Sequence, residues 1–586
     1  MIQVDQASID EYMAKGWWGQ ATLGEIFLDT AARQADTFAV ADAPNRAELF
    51  GGQHKRWSWG ELRAQTGRLC ALLQAQGVRK DDVVVVQLPN CVELHALYLA
   101  CAINGVMISP VPMQYRAHEL EYVTQATQAR GVITTQRLGK YLAAQELAAM
   151  RAQMPALQWI WSYGDGSGQP LPPGVADLDA LLAQTAPWSE AQMRAHMRQI
   201  GLSANDVFTI CWTSGTEAHS KGVPRSHNQW LLVGASVVDA GQIQQGAQMV
   251  IPFPFVNMAG ISTSLVAWLL TAGGLHHHHP FDLKVFILQL QDSGVDYTVA
   301  APAVLNMLLK SPELLEGVDL QRLKRIGSGG GPVAPWLFEQ FFDRFGIEVI
   351  NYFGSNEGAS LASTPQDIPD QEQRANFFPR LGVAGFTWKA VNADRMATRL
   401  VDVDTEEEIT QSGKIGELRF KGPMLFSGYY RSPELTARAF DAAGYYRSGD
   451  LFEIAGERQQ FYRFAGRHKD IVVRGGMNIS CEEVENLLLS HPKVREVAVV
   501  GWPDDVLGER VCAVVVPKNA GEQVQLDELV SFLKTVGKVA AFKWPERVEV
   551  LDELPRNPVG KVLKRVLRAQ VQDKALGAAT PRETTA

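Results

Sequence analysis

Apolar residues recur at helical spacing between Trp57 and Gly77, and a β-branched run, Asp82-Val-Val-Val-Val-Gln-Leu88, follows. Glu93 to Asn104 again reads as helix and Val106-Met-Ile-Ser-Pro-Val111 again as strand. Such alternation predicts an α/β fold, helices layered on mostly parallel sheets. The strand signal resumes at Gln248-Met-Val-Ile-Pro252, Asp296-Tyr-Thr-Val-Ala300, Leu323-Lys-Arg-Ile-Gly327 and Glu348-Val-Ile-Asn-Tyr352. From about Lys414 the texture changes to short strands separated by glycines, Gly416-Glu-Leu-Arg-Phe420 and Gln460-Phe-Tyr-Arg-Phe464. A smaller α+β unit follows, with Glu482 to Ser490 helical and strands at Glu496-Val-Ala-Val-Val500 and Cys512-Ala-Val-Val-Val516. The boundary is expected near Gly466-Arg-His-Lys-Asp470, giving domains 1–466 and 467–575 and a small polar tail, 576–586, read as disordered.

Length and charge narrow the class. A chain of 586 residues is too long for one core, and 46% apolar with 20% charged residues is a globular composition. A net charge of −9 with mixed signs argues against nucleic-acid and membrane-surface partners. Lys561, Lys564, Arg565 and Arg568 read as the solvated face of a helix. Cys70, Cys91, Cys101, Cys211, Cys481 and Cys512 show no paired spacing and sit mostly in apolar runs, so they are expected to be reduced and buried, which points to a cytoplasmic protein. The first residues lack the basic and apolar regions of a signal peptide. Met249 to Leu275 is apolar, but Pro252, Pro254 and Asn257 break it, which suits a strand, a loop and a buried helix.

Chemistry concentrates in a few stretches. Thr213-Ser-Gly-Thr-Glu-Ala-His-Ser-Lys-Gly-Val223 follows a strand-like run, so hydroxyls of Thr213, Ser214 and Thr216, free N–H groups around Gly215 and the Lys221 ammonium can converge on phosphate oxygens. It is not a Walker A loop, because Gly222 follows Lys221. Gly327-Ser-Gly-Gly-Gly-Pro332 lies between a strand and a helix expected near Pro335, where α/β folds bind ligands. Asn351-Tyr-Phe-Gly-Ser-Asn-Glu-Gly358 sets an aromatic face suited to a purine four residues before a carboxylate suited to magnesium on phosphates. Tyr446-Arg-Ser-Gly-Asp450 offers a carboxylate to ribose hydroxyls. Gly466 to Ser480 and Pro555-Arg-Asn-Pro-Val-Gly-Lys561 complete the set.

In this order and at these separations the motifs resemble the adenylate-forming ligase superfamily, from about Trp18 to about Gln570: acyl-CoA synthetases, adenylation domains and luciferases. The texture is similar to cyclohexanecarboxylate–CoA ligases and aryl-acid activating enzymes. The resemblance implies a large N-terminal domain with a barrel-like subdomain and a small C-terminal domain that rotates about a hinge. It implies that Thr213, Ser214, Gly215, Thr216 and Lys221 bind ATP phosphates. Gly329, Gly330, Gly331, Asn351, Tyr352, Phe353, Gly354, Ser355 and Asn356 would surround the nucleotide, with Phe353 stacking on adenine. Glu357 takes the magnesium position, Asp450 and Arg467 the ribose positions, and Lys469 the hinge. Gly475 and Gly476 fall at the coenzyme A tunnel, while Asn257, Gly260, Gly329 and Tyr352 are candidates for the acyl pocket. Lys561 matches the lysine bridging the substrate carboxylate and the α-phosphate, and its Pro555-x4-Gly-Lys setting resembles one in which bacterial members carry a regulatory acetyl-lysine.

The implied reaction is carboxylate, ATP and coenzyme A to acyl-CoA, AMP and pyrophosphate, with Mg2+, Lys561, Glu357 and Thr213 as the catalytic set. A stand-alone enzyme loading an aryl acid onto a carrier-protein thiol is the rival, and a non-catalytic ATP-binding scaffold the other. The acid is cyclic, aromatic or medium-chain, and the resemblance admits a homodimer. Asn356 stands for the usual Thr, Ala218 and Ser220 for Gly and Pro, and Asn257 for a His that gates the acyl pocket in many relatives. His276 to His279 read as a strand end, since alternate side chains of a strand point to opposite faces and cannot share one ion.

Overall fold

A computed structural model describes the chain except residues 214–219, 311, 331–332, 334, 404, 468–470, 520, 556–561, 563 and 579–586. It forms two compact units, one of residues 1–113, 121–212 and 222–466, the other of 114–120, 213–221 and 467–586.

The first unit carries three sheets. The eight-stranded one runs in the order Ser360–Ser363, Glu348–Gly354, Arg325–Gly329, Tyr297–Ala300, Gln248–Ile251, Gly274–His277, Phe38–Ala41, Arg56–Ser58. Its inner pairings are parallel and only the two edges are antiparallel. The seven-stranded sheet, which includes Val83–Gln87, Met107–Pro110 and Val207–Thr213, has parallel pairings at Val83–Gln87 and Met107–Pro110, as the β-branched runs predict. The barrel-like subdomain is a six-stranded sheet whose order is open and whose described pairings are antiparallel. Four strands and one helix carry the residues that matter below: helix α1 (His227–Gly241) and strands β1 (Tyr297–Ala300), β2 (Arg325–Gly329), β3 (Glu348–Gly354) and β4 (Tyr446–Ala455).

The eight-stranded sheet is buried on both faces. Val250, Ile326 and Val349 join one apolar core with Phe286, Leu337 and Phe338, while Met249, Tyr297 and Ile350 join another that includes Trp230 and Trp268. α1 starts with a capping box, Ser226 accepting from the Gln229 N–H and the Gln229 side chain accepting from the Ser226 N–H, a device worth about 1 kcal/mol. The Gln229 amide also donates to the Leu425 carbonyl at 2.6 Å, which ties the helix start to the six-stranded side of the unit.

The apolar stretch 249–275 divides into a strand, a helical segment Met258–Leu270 with a π turn, and strand Gly274–His277. Among the described residues no helix is long and apolar enough to cross a membrane. His276 packs on Phe38 and His277 on His95, while His278 bonds to Gln289, so consecutive imidazoles do go to different neighbours. All six cysteines are buried.

The second unit is built on a five-stranded sheet ordered Met477–Ser480, Ile471–Arg474, Gly508–Pro517, Val494–Asp504, with Arg547–Val550 paired parallel to Gly508–Pro517. Helix Lys564–Ala578 runs through residues 576–578, which the sequence places in the tail. Ala and Leu propagate a helix better than any other residues, so the Ala575-Leu576 step continues it where polarity alone reads as tail.

Candidate active site

β3 alternates its side chains, and that decides what its motif can touch. Asn351 turns inward, its amide donating to the Ala375 carbonyl at 2.9 Å. Tyr352 points to the opposite face and Phe353 back again. The Phe353 ring lies 5.2 Å from Phe452 edge-on and 6.1 Å from Phe420 in a stacked geometry, with Phe378 and Phe464 also around it. Four rings therefore fix its plane, while the residue stays only half-buried.

The turn after β3 is cross-braced. Ser355 N–H donates to the Ala359 carbonyl, and Gly358 has φ +98 with no room for a side chain, since a Cβ would lie 2.2 Å from the Met424 carbonyl oxygen. Asn356 accepts from the Met258 N–H at 2.8 Å and donates to the Trp212 carbonyl at 3.2 Å. A threonine has one oxygen for such work, whereas the amide supplies a donor and an acceptor at separate atoms. Next to it, the Arg225 guanidinium is fully buried and donates to carbonyls of Asn356, Gln229 and Met424. None of the described carboxylates pairs with it, and burial pushes the group down to about 10. The Glu357 carboxylate nearby acts against that downward push.

Glu357 is 7% exposed and accepts from the Tyr429 hydroxyl at 3.0 Å through Oε1. The Tyr446 phenol, raised well above its usual range by burial, interacts with Glu357, Tyr429 and Asp450 together. Asp450 is itself buried on β4, its N–H donating to Ser448 Oγ at 3.1 Å. Two residues further on the same face comes Phe452, the ring against Phe353. An aromatic face and two carboxylates from separate sheets are thus brought to one place by Phe452 and Tyr446.

Among the residues expected at an acyl pocket, Asn257 caps the helix Met258–Ile261, its Oδ1 accepting from Gly260 N–H at 3.1 Å. A Cβ at Gly354 would meet Met258 Cε at 2.8 Å, so the helix start and the β3 end are in contact. Gly329 pairs with Tyr352, and Gly330 turns at φ +85 beside open space. Thr213 ends strand Val207–Thr213 and Lys221 begins strand Lys221–Ser226, both half-buried. Gly475 and Gly476 form the exposed turn of the hairpin between Ile471–Arg474 and Met477–Ser480, and the Gly475 N–H donates to the Leu507 carbonyl at 2.7 Å. Arg467 is described through its backbone at the end of Phe461–Arg467. Ser214, Gly215, Thr216, Gly331, Lys469 and Lys561 lie outside the described residues.

Sequence reading misses Arg225, Tyr429 and Tyr446. Arg225 and Tyr429 sit in runs, Lys221 to Ser226 and Gly428-Tyr429-Tyr430, that read as ordinary strand and turn, and only contacts 72 to 199 residues away give them meaning. Tyr446 is inside a motif that the sequence does single out, but for Asp450 alone.

Comparison with known proteins identifies the family. Residues 27–430 match the family described as AMP-binding enzyme, and residues 483–561 match the AMP-binding enzyme C-terminal domain. The medium-chain fatty-acid–CoA ligase of Escherichia coli is 28% identical over 96% of this chain and 92% of its own length. The 2,3-dihydroxybenzoate-AMP ligase of Bacillus subtilis is 27% identical over 97% of each chain. Among solved structures, ATP-bound MatB from Rhodopseudomonas palustris superposes with a TM-score of 0.62 at 26% identity, covering 94% of this chain and 100% of that one. The chain belongs to the AMP-binding enzyme family and is an adenylate-forming ligase.

Proposed function

We propose that the protein activates a small carboxylic acid as its acyl-adenylate and transfers the acyl group to coenzyme A, releasing AMP and pyrophosphate. The observation that carries this reading is the convergence of Phe353, Asp450 and Glu357 around Phe452 and Tyr446. Phe353 offers a ring face to adenine, Asp450 a carboxylate to the ribose hydroxyls, and Glu357 a carboxylate to a metal. Both a CoA ligase and an aryl-acid AMP ligase stand among the relatives.

A carboxylate is a poor acyl donor because oxide would have to leave, and attack on the α-phosphate brings an anion toward a polyanion. Charge neutralisation and alignment are the work to be done. Thr213, the Ser214–Thr216 loop and Lys221 hold the phosphates, and Lys561 bridges the acid and the α-phosphate. Magnesium fits Glu357, because a buried carboxylate with one oxygen already held leaves the other for an ion whose remaining ligands are phosphates and water, and the described residues contain no all-protein cage. Bound there, it supplies positive charge against the triphosphate. Arg467 adds a ribose contact, and the Gly475-Gly476 turn lines the thiol's approach. Rotation about Lys469 exposes the two sets of groups in turn.

Pyrophosphate release across a panel of carboxylates, with and without coenzyme A, tests the reading. Acid-dependent release that rises with coenzyme A and yields acyl-CoA supports it. Release that ignores coenzyme A but rises with a carrier protein would transfer the second half-reaction to that thiol. Lys469→Pro is expected to spare adenylation and slow thioester formation by tenfold or more, on the order of what a blocked conformational step costs, because proline fixes φ. Single-turnover transfer from pre-formed acyl-adenylate measures it, and an unchanged rate refutes the hinge.

A further inference from the structure

Asp450 stands where the ladder of β4 breaks. Along the neighbouring strand Ile415–Lys421, Glu417 pairs with Leu451 and Arg419 with Arg447, so Ser448, Gly449 and Asp450 together face the single residue Leu418. Such a bulge takes residues out of the ladder and re-aims a side chain, so something besides strand pairing has to fix the direction of Asp450. Gly449 turns through it at φ +72, in the left-handed region that favours glycine. The bulge is held from within and from the strand beside it. Ser448 Oγ donates to the Leu418 carbonyl, the Asp450 N–H donates to Ser448 Oγ at 3.1 Å, and the Gly449 N–H donates to Glu417 Oε1 at 2.9 Å.

The second oxygen of Glu417 is taken by Arg419, whose Nε donates to Oε2 at 2.8 Å. Arg419 is buried, and it is the middle of a row, for the register places Arg399, Arg419 and Arg447 opposite one another on three adjacent strands. Like charges directly across strands repel. Carboxylates stand between them. Glu406 accepts from Arg419 and from Arg447, two bonds from each at 2.7 to 3.0 Å, and Asp441 accepts from Arg399 and Arg419. Glu406 does this from the turn after Ala397–Val401 at φ +61, a backbone conformation unfavourable for a residue with a side chain. The two arginines hold its carboxyl down at about 2, so it stays ionised between them.

We propose that Glu417 and Glu406 are positioning residues for nucleotide recognition: Glu417 fixes the bulge through the Gly449 N–H, Glu406 holds Arg419 and Arg447 in place on either side of it, and together they aim the Asp450 carboxylate at the ribose. The inference rests on the reading of Asp450 given above and deepens it. An amide cannot replace either carboxylate, because both oxygens of each face donors and the NH2 of a glutamine would have to meet an N–H. Both residues act through Asp450 and not on the nucleotide itself.

The experiment is equilibrium binding of ATP, 2′-deoxy-ATP and 3′-deoxy-ATP to the full chain by calorimetry, for the wild type, Asp450→Ala, Glu417→Gln and Glu406→Gln. The wild type is expected to bind ATP about tenfold or more tightly than at least one deoxy analogue, the scale of a hydrogen bond to a charged group, and Asp450→Ala to bring that ratio to about one. Both glutamine variants are expected to reduce it to about threefold or less. A general loss of stability weakens all three nucleotides by a common factor and leaves the ratio alone, so folded glutamine variants with the wild-type ratio overturn the proposal. If Glu417→Gln does not fold, Glu406→Gln, made at a half-exposed side chain, decides by itself. A wild type without preference, or a preference that survives Asp450→Ala, instead brings down the ribose reading and the proposal with it, a result distinct from a preference lost with Asp450 alone.

Discussion

Glu357→Gln is expected to lower acid-dependent pyrophosphate exchange by about 10²- to 10³-fold while the chain stays folded. The substitution keeps an acceptor for the Tyr429 hydroxyl, which lies 3.0 Å from Oε1, and keeps the shape of a residue that is 7% exposed. On the proposed reading it removes the negative charge that would hold a divalent ion against phosphates, and an amide oxygen is a much weaker ligand for so hard a cation. The magnesium concentration for half-maximal exchange should therefore rise together with the fall in rate. The buried Arg225 guanidinium nearby loses the interaction with the Glu357 carboxylate and adds repulsion toward the ion. Unchanged exchange at low magnesium would remove Glu357 from the metal site, and thermal unfolding of the free variant separates that result from a folding defect.

Lys561→Ala is expected to abolish exchange, a loss of about 10³-fold or more, while a supplied acyl-adenylate is still converted to acyl-CoA. The asymmetry follows from charge. A carboxylate anion has to be brought against the anionic α-phosphate, with pyrophosphate leaving, only in the first half-reaction, whereas in the second a thiol attacks the acyl carbon and AMP leaves with the electron pair. Equal loss in both would end the division of labour. The same reasoning would make Lys561 a switch, since acetylation removes the ammonium charge. Incubation with a protein acetyltransferase, followed by peptide mass spectrometry and exchange assays, is expected to show modification at Lys561 with loss of adenylation. Modification with full activity would count against it.

The layered α/β order was legible because strands such as Val83–Gln87 are β-branched runs soon closed by proline, here Pro89. The helix after Gly327–Pro332 begins at Pro335, where the sequence expects it. The site was legible as a set of loops but not as contacts. Alternation along β3 determines that Asn351 is spent on a carbonyl and Tyr352 on another tyrosine, and neither partner is within 20 residues in the chain. Arg225 shows the limit most clearly. Local pattern makes it the polar residue before a capping serine, whereas its burial among carbonyls from Asn356 and Met424 depends on three segments meeting.

Asn356 has a thermodynamic consequence. One side of its amide holds the carbonyl of Trp212, the residue before Thr213 of the phosphate motif, and the other holds the first N–H of the helix on which Gly260 sits. On the proposed reading, nucleotide and acid would pull on the same planar group from its two sides. If binding the acid changes the affinity for nucleotide by some factor, nucleotide must change the affinity for acid by that same factor, because the two routes around the cycle end in one complex. The cooperativity between the two substrates is therefore a single measurable number, and Asn356→Ala, which cuts the shared amide, is where that number should fall toward one.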